Sequence, residues 1–188
     1  MNMLVTHPIK RYTYSDYKNL DVDDHFLYEL INGELVQKSA PSPRHQIISG
    51  NLYVAMKSYV SGNKLGTVLY APVDVFVDDY NVPQPDLLFV NNEHKEYITA
   101  DGVFGPPDLV VEIVSPSSIT RDRVVKMRVY RGFGIPEYWI VDPKYASIEI
   151  YQLMETDYEL YSVAVEKGSV QSKILDGFIV NTDNIFTQ

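Results

Sequence analysis

The sequence predicts an α/β domain with a mixed sheet, and three observations carry that prediction. Between about residues 42 and 143, a helical pattern, three strand-like runs, a second helical pattern and a fourth strand follow one another. Ahead of that core, at about 28–37, Asn32-Gly33 separates two short strand-like runs. Behind it, from about 147 to 186, apolar and polar residues alternate around Lys167-Gly168-Ser169 and Asp176-Gly177, the pattern of an antiparallel β extension. There are no repeats, low-complexity segments or linkers, and one domain over residues 1–188 accounts for the whole pattern.

Each element has a local cause. Tyr12-Thr13-Tyr14-Ser15-Asp16-Tyr17 starts a short helical segment. Tyr28-Glu29-Leu30-Ile31 and Glu34-Leu35-Val36-Gln37 flank Asn-Gly, the dipeptide that fits a tight primed turn, so they form a hairpin. Ser42-Pro43 supplies an N-cap and a first helical residue, and Ile48, Leu52, Ala55 and Tyr59 then recur at helical spacing to about Ser61. Thr67 to Val77 is β-branched and aromatic and reads as a strand; Leu87 to Val90 and Leu109 to Val114 are apolar strands joined by a polar loop. Thr120 is placed to cap a second helix running to Phe133, and Glu137 to Val141 is a further buried strand stopped by Asp142-Pro143.

The bulk numbers narrow the function. No stretch approaches the roughly 20 apolar residues of a membrane span, and the N-terminal residues lack the apolar core of a signal peptide. The chain has no cysteine, which excludes disulfides, thiolate zinc sites and a thiol nucleophile. A cytoplasmic location with no membrane partner is the expectation. The net charge of −9 opposes tight non-specific binding to nucleic acid. Residues 121–144 nevertheless carry six basic residues against three acidic ones. That excess is either a basic patch for nucleic acid or a solvated helix face.

Three charges sit where the pattern predicts burial. At about 100° per residue, Lys126 and Asp122 lie roughly 200° and 160° from Val124, inside the apolar arc of Val125, Val129, Phe133 and Tyr130. Arg121, Arg128 and Arg131 lie on the other side. Lys126 can instead snorkel to water, or pair with Asp122 one turn away. Glu112 shares a strand face with Val110 and Val114 while Leu109, Val111 and Ile113 fill the other, the pattern of a strand covered on both sides. A buried carboxylate there calls for a metal or an ion pair. Asp86 follows Pro85 at the start of an apolar run, where an aspartate often only ends a loop.

Other chemistries are poorly supported. Ser115-Pro116-Ser117 is no nucleophile elbow, and no phosphate-binding loop, dinucleotide fingerprint or zinc signature occurs. The 15 tyrosines include residues able to stack on bases, though tyrosine in strands more often fills core and rim. His7, His25 and His94 show no ligand spacing.

The ordered set Pro85-Asp86, Asp108-Leu109-Val110-Val111-Glu112-Ile113-Val114-Ser115-Pro116-Ser117-Ser118, Asp122, Lys126, Tyr130 and Glu137-Tyr138-Trp139-Ile140-Val141-Asp142 resembles the PD-(D/E)XK superfamily of restriction-endonuclease-like nucleases. Within it the chain is similar to a large bacterial group labelled restriction endonucleases of unknown function. Tyr28 to Glu34 and Pro41 to Gln46 match that group's opening. The superfamily's lysine normally stands two residues after the glutamate, where this chain has Val114; in this group a lysine on the following helix takes its place, and Lys126 matches.

The resemblance implies a restriction-endonuclease-like core and Mg²⁺- or Mn²⁺-dependent hydrolysis of DNA phosphodiesters. It implies Asp86, Glu112 and Lys126 as catalytic residues, with the metal on Asp86, Glu112 and the Ile113 carbonyl, donors that suit a hard cation. Glu29, His45 and Asp122 are second candidates, although Glu29 can simply pair across the hairpin and His45 at a helix start can be structural. Arg121, Arg123 and Arg128 are candidates for contact with DNA, and a homodimer is an open expectation. Two alternatives stand beside this reading: a non-catalytic nucleic-acid-binding or regulatory module on the same fold, and a purely structural ion-pair network.

Overall fold

The structure, a computed structural model, describes residues 10–20 and 26–187; His7 and His25 lie outside the described residues. Helix α1 (Tyr14–Lys18) opens on a reciprocal capping box between Thr13 and Asp16. Strands β1 (Leu27–Ile31) and β2 (Glu34–Lys38) pair antiparallel. The turn between them puts Asn32 at φ 53° and Gly33 at φ 79°, the left-handed pair that a type I′ turn requires.

Helix α2 (Pro43–Asn63) begins where Ser42 Oγ accepts from the His45 N–H at 3.2 Å. It buries Ile48, Leu52, Met56 and Val60, one residue per turn, against one face of the main sheet. That sheet holds β3 (Gly66–Tyr70), β4 (Leu87–Asn91), β5 (Leu109–Ile113), β6 (Glu137–Asp142), β7 (Ser147–Leu153) and β8 (Tyr158–Val165) in that spatial order. Every pair is antiparallel except β5–β6, which is parallel. A parallel pair needs a crossover. Here the chain crosses through a π-helical turn (Arg121–Lys126) running into α3 (Met127–Phe133), which Gly134 ends at φ 82°.

The sheet is therefore covered on both sides, as its apolar strands require. Phe89, Leu109, Val111, Trp139 and Val141 face α2. Leu88, Val110, Val114, Tyr138 and Ile140 face the crossover and its Tyr130. The short strands β9 (Ser169–Gln171) and β10 (Ile179–Asn181) pair with each other, and with α4 (Thr182–Phe186) they close the α2 side through Val170, Phe178, Val180 and Ile185.

Three local expectations need correction. The strand expected over Thr67 to Val77 stops at Tyr70, because Pro72 has no N–H to continue the ladder. The chain then forms isolated bridges, Val75 to Val103 and Val82 to Leu30, the second fastening the hairpin to the body. The crossover helix starts at Ile119, and Thr120 is already helical, with no side-chain cap bond. Reciprocal bonds between Ser115 and Ser118, each hydroxyl accepting from the other's N–H, turn the chain instead. In the C-terminal extension, only β7 and β8 continue the meander of the main sheet.

Candidate active site

Five segments converge where β4 and β5 meet the crossover. Asp86 stands immediately before β4, and its Oδ2 accepts from the Ile113 N–H at 2.7 Å. Glu112 and Ile113 explain this by alternation. The β5–β6 ladder turns successive backbone groups to opposite sides, so the N–H and C=O of Ile113 point together toward Asp86. His45, in the first turn of α2, contacts the same Asp86 oxygen through Nε2 at 3.2 Å, and its buried Nδ1 has no partner among the described residues.

Lys126 occupies the centre. Its side chain is 2% exposed and donates to Glu29 Oε1 at 2.7 Å and Glu112 Oε1 at 2.9 Å, with Asp122 Oδ1 farther off at 3.8 Å. The inward orientation is thus realised and snorkelling is not, while pairing with Asp122 is the loosest of the three contacts. Glu112 Oε1 also accepts from the Tyr130 hydroxyl at 2.6 Å. Glu29 does not simply pair across its hairpin; it accepts from the Gln84 N–H at 2.7 Å, two residues before Asp86, with Lys38 at 3.8 Å. The π-helical turn matters here. It departs from 100° per residue between Asp122 and Lys126, and such turns recur at functional sites.

One ammonium serves three buried carboxyls, and their titration divides accordingly. Burial pushes Glu112 up, Lys126 pulls it down, and the charges of Asp122, Asp86 and Glu29 push it up again, to about 8. Burial likewise raises Glu29, but Lys126, Lys38 and the Gln84 N–H outweigh it, leaving its carboxyl below the usual range. Burial raises Asp122 against the pull of Lys126. Lys126 itself is held above its ordinary value by the three acids despite burial. At Asp86 the burial penalty is overcome by His45, Lys38 and the Ile113 N–H, and the carboxyl lies below its ordinary value. The Asp86 contact reciprocally raises His45 against its own burial.

Asp86, Glu112, Lys126, Glu29, His45 and Asp122 all line one cavity of about 1350 Å³. The arginines divide. Arg121 lines this cavity; Arg123 points elsewhere, in a bidentate pair with Glu149 at 2.9 and 2.7 Å; Arg128 lines a separate cavity with Asn81 and Phe133. His94, given no role from the sequence, bonds Asp108 at 3.0 Å. Sequence reasoning gave no role to two supports of the site. Tyr130 belongs to the matched motif set but by position reads only as an apolar-arc residue, and the Gln84 N–H belongs to a backbone position without a sequence signal.

A family model described as "Uma2: Putative restriction endonuclease" matches residues 14–183. The chain belongs to the Uma2 family. Its fold is also that of a crystal structure described as a putative nuclease belonging to DUF820 from Anabaena variabilis ATCC 29413, at TM-score 0.76 and 16% identity, covering 93% of this chain and 97% of that one. None of the curated proteins compared matches the chain. Membership places the restriction-endonuclease-like fold on firm ground, and among the described residues no helix is long and apolar enough to cross a membrane.

The donor set suits a hard divalent cation. Asp86 Oδ1 and Glu112 Oε2 make no hydrogen bond among the described residues, and the Ile113 carbonyl is a third oxygen of the type such ions take. Among the described residues, no three His, Cys, Asp or Glu side chains form a preformed cage. A cation here would therefore rest on two carboxylates and a backbone carbonyl, as small hard ions that keep much of their water can do.

Proposed function

We propose that this chain is a divalent-metal-dependent nuclease that hydrolyses phosphodiester bonds in DNA. One observation carries the reading: Lys126 is buried against Glu112 in a cavity onto which Asp86 and Glu112 each present a carboxylate oxygen with no hydrogen bond among the described residues. Asp86, Glu112 and the Ile113 carbonyl would hold Mg²⁺ or Mn²⁺, which supplies Lewis-acid polarisation of a phosphoryl oxygen and acidifies a bound water.

The chain's own residues do the rest. An ammonium has three donors. Two of those on Lys126 are committed to Glu29 and Glu112, leaving one for a phosphate oxygen as negative charge develops on it. Glu29, itself held by the Gln84 N–H, fixes where that ammonium points. Tyr130 and Lys126 share Glu112 Oε1, which turns Oε2 to the cavity. His45 and the Ile113 N–H do the same for Asp86, binding Oδ2 and leaving Oδ1.

Two measurements test this. Mn²⁺ should raise the melting temperature of the wild type, since a ligand that binds only the native state must stabilise it, and should not do so for Asp86→Asn. Nicking of supercoiled plasmid should fall at least about 100-fold in Glu112→Gln and Lys126→Ala. Equal nicking by wild type and both variants would remove the assignment. A second reading, a non-catalytic nucleic-acid-binding or regulatory module, is favoured by the near-complete burial of Lys126 between its two carboxylates. That reading expects no response to Mn²⁺.

A further inference from the structure

The catalytic cavity runs from an exposed aromatic rim to a buried charged floor. At the floor, the side chains of Lys126 and Glu112 are 2% and 5% exposed. At the rim, Tyr145 is 56% and Phe26 47% exposed, each presenting a ring that no core residue needs. Tyr145 lies in a hydrogen-bonded segment. It belongs to the turn between β6 and β7, where Arg44 of α2 donates to the Pro143 carbonyl at 3.1 Å and the Lys144 N–H donates to Asp142 Oδ1 at 2.9 Å. The Lys144 ammonium lies 4.9 Å from the centre of the Tyr145 ring.

This arrangement offers an exposed ring beside cations. Arg44, Lys144 and Arg121 line the same cavity as that ring and the acids. A positive track with exposed aromatics is how proteins hold unpaired strands, because every base offers a face to a ring. The depth argues the same way. A cavity of about 1350 Å³ exceeds the size of pockets that enclose small molecules, about 300–1,000 Å³. It has room for a few unpaired nucleotides, and the phosphate that reaches Lys126 must descend below the rim. A strand still paired to its complement is bulkier and harder to bring to a floor so buried. The net charge of −9 further disfavours lying along the dense charge of a duplex.

We propose that the substrate is an unpaired DNA strand, which enters over Tyr145 and is drawn down between Arg44, Lys144 and Arg121 to the acids. The proposal rests on the hydrolytic reading of the same cavity and narrows its substrate. The test is binding first and cleavage second. Fluorescence anisotropy without divalent metal compares a labelled oligothymidylate of about 20 nucleotides with a duplex of equal length. The full chain should bind the single strand at least about tenfold more tightly. Tyr145→Ala should weaken single-strand binding roughly tenfold and leave the duplex unaffected, while Tyr145→Phe, which keeps the ring, should bind as wild type does.

With Mn²⁺ added, the single strand should be cut at least about tenfold faster than the duplex. Equal binding of the two forms, or a Tyr145→Ala variant that binds the single strand as wild type does, overturns the substrate assignment, whatever is cut. Ring-dependent preference for the single strand with neither form cut leaves the assignment standing and overturns hydrolysis instead.

Discussion

Glu112 and Glu137 are buried glutamates on adjacent parallel strands, and the protein holds them in opposite ways. Glu137, wholly buried on the α2 side, takes Trp139 Nε1 and Ser172 Oγ on one oxygen and the N–H groups of Lys173 and Ile174 on the other. Four neutral donors saturate it, and it anchors the loop between β9 and β10. Glu112, on the opposite face, has Lys126 and Tyr130 on one oxygen and no bond among the described residues on the other, which opens on the cavity. A saturated buried carboxylate is a structural anchor. One left half satisfied beside an ammonium is available to a ligand.

The sharpest way to break this comparison is to remove each carboxylate. Glu137→Ala leaves four donors without their acceptor, two of them buried, and should cost roughly 4 kcal/mol in urea-induced unfolding at pH 7. Glu112→Gln should cost much less, because Glu29 still pairs with Lys126 and the amide still reaches Tyr130. The two variants should also differ in pH response. The folded pKa of Glu112 is raised, so its ionisation opposes folding: wild-type stability is full below the ordinary value of 4.5 and is lost as pH rises through about 8. Glu112→Gln removes that slope, so its stability relative to wild type should improve as pH climbs across this window. Equal, pH-independent losses in both variants would erase the distinction.

That distinction was not legible in the sequence. Both glutamates stand in apolar strand runs, and only Glu112 was singled out, because it precedes a helix with an inward lysine and matches a known motif. Glu137 gives the same local signal, but in the sequence it only opens a buried strand and carries no motif that assigns it a role. What folds locally was readable: the Asn32-Gly33 turn, the Ser42 cap, the strand-to-helix order and the inward Lys126 all follow from short-range chemistry. What depends on distant partners was not. Tyr130 meets Glu112 only because β5 packs under the crossover, and Glu29 meets Lys126 only because Val82 pairs the hairpin to the body. The π-helical turn escaped for a further reason, since any rotation argument assumes a fixed period. The overlong strand at Thr67 to Val77 came from weighing β-branched residues above Pro72.

Next in size is the ammonium itself. Lys126→Met leaves Glu112 and Asp122 without a cation and Glu29 with the more distant Lys38 alone, and should cost roughly 3 kcal/mol at pH 7. Without Lys126 all three carboxyls titrate higher, so acid should neutralise them and recover much of the loss. Urea unfolding at pH 5 and pH 8 checks this, with the larger deficit expected at pH 8. A deficit that stays constant across that range would mean that the cluster does not share charge as described, and the contrast with Glu137 would lose its electrostatic basis.

The smallest effect belongs to a third kind of carboxylate, partly exposed to solvent. Glu149 takes both arms of Arg123, at 2.9 and 2.7 Å, and the Tyr151 hydroxyl. The Arg123 hydrogen bond holds its carboxyl below the ordinary 4.5 in spite of partial burial. A partly exposed pair of good bidentate geometry contributes about 1 kcal/mol or less, so Arg123→Ala should lower stability by no more than that at neutral pH. The sign with pH is the reverse of Glu112. A depressed carboxyl stabilises the fold above its unfolded value and loses that contribution as pH falls through its folded one. Wild type and Arg123→Ala should therefore differ most near neutrality and converge in acid, by thermal melting at matched ionic strength. A gap that widens in acid would mean that Arg123 acts through packing of its stem and not through Glu149, which would take this pair out of the series.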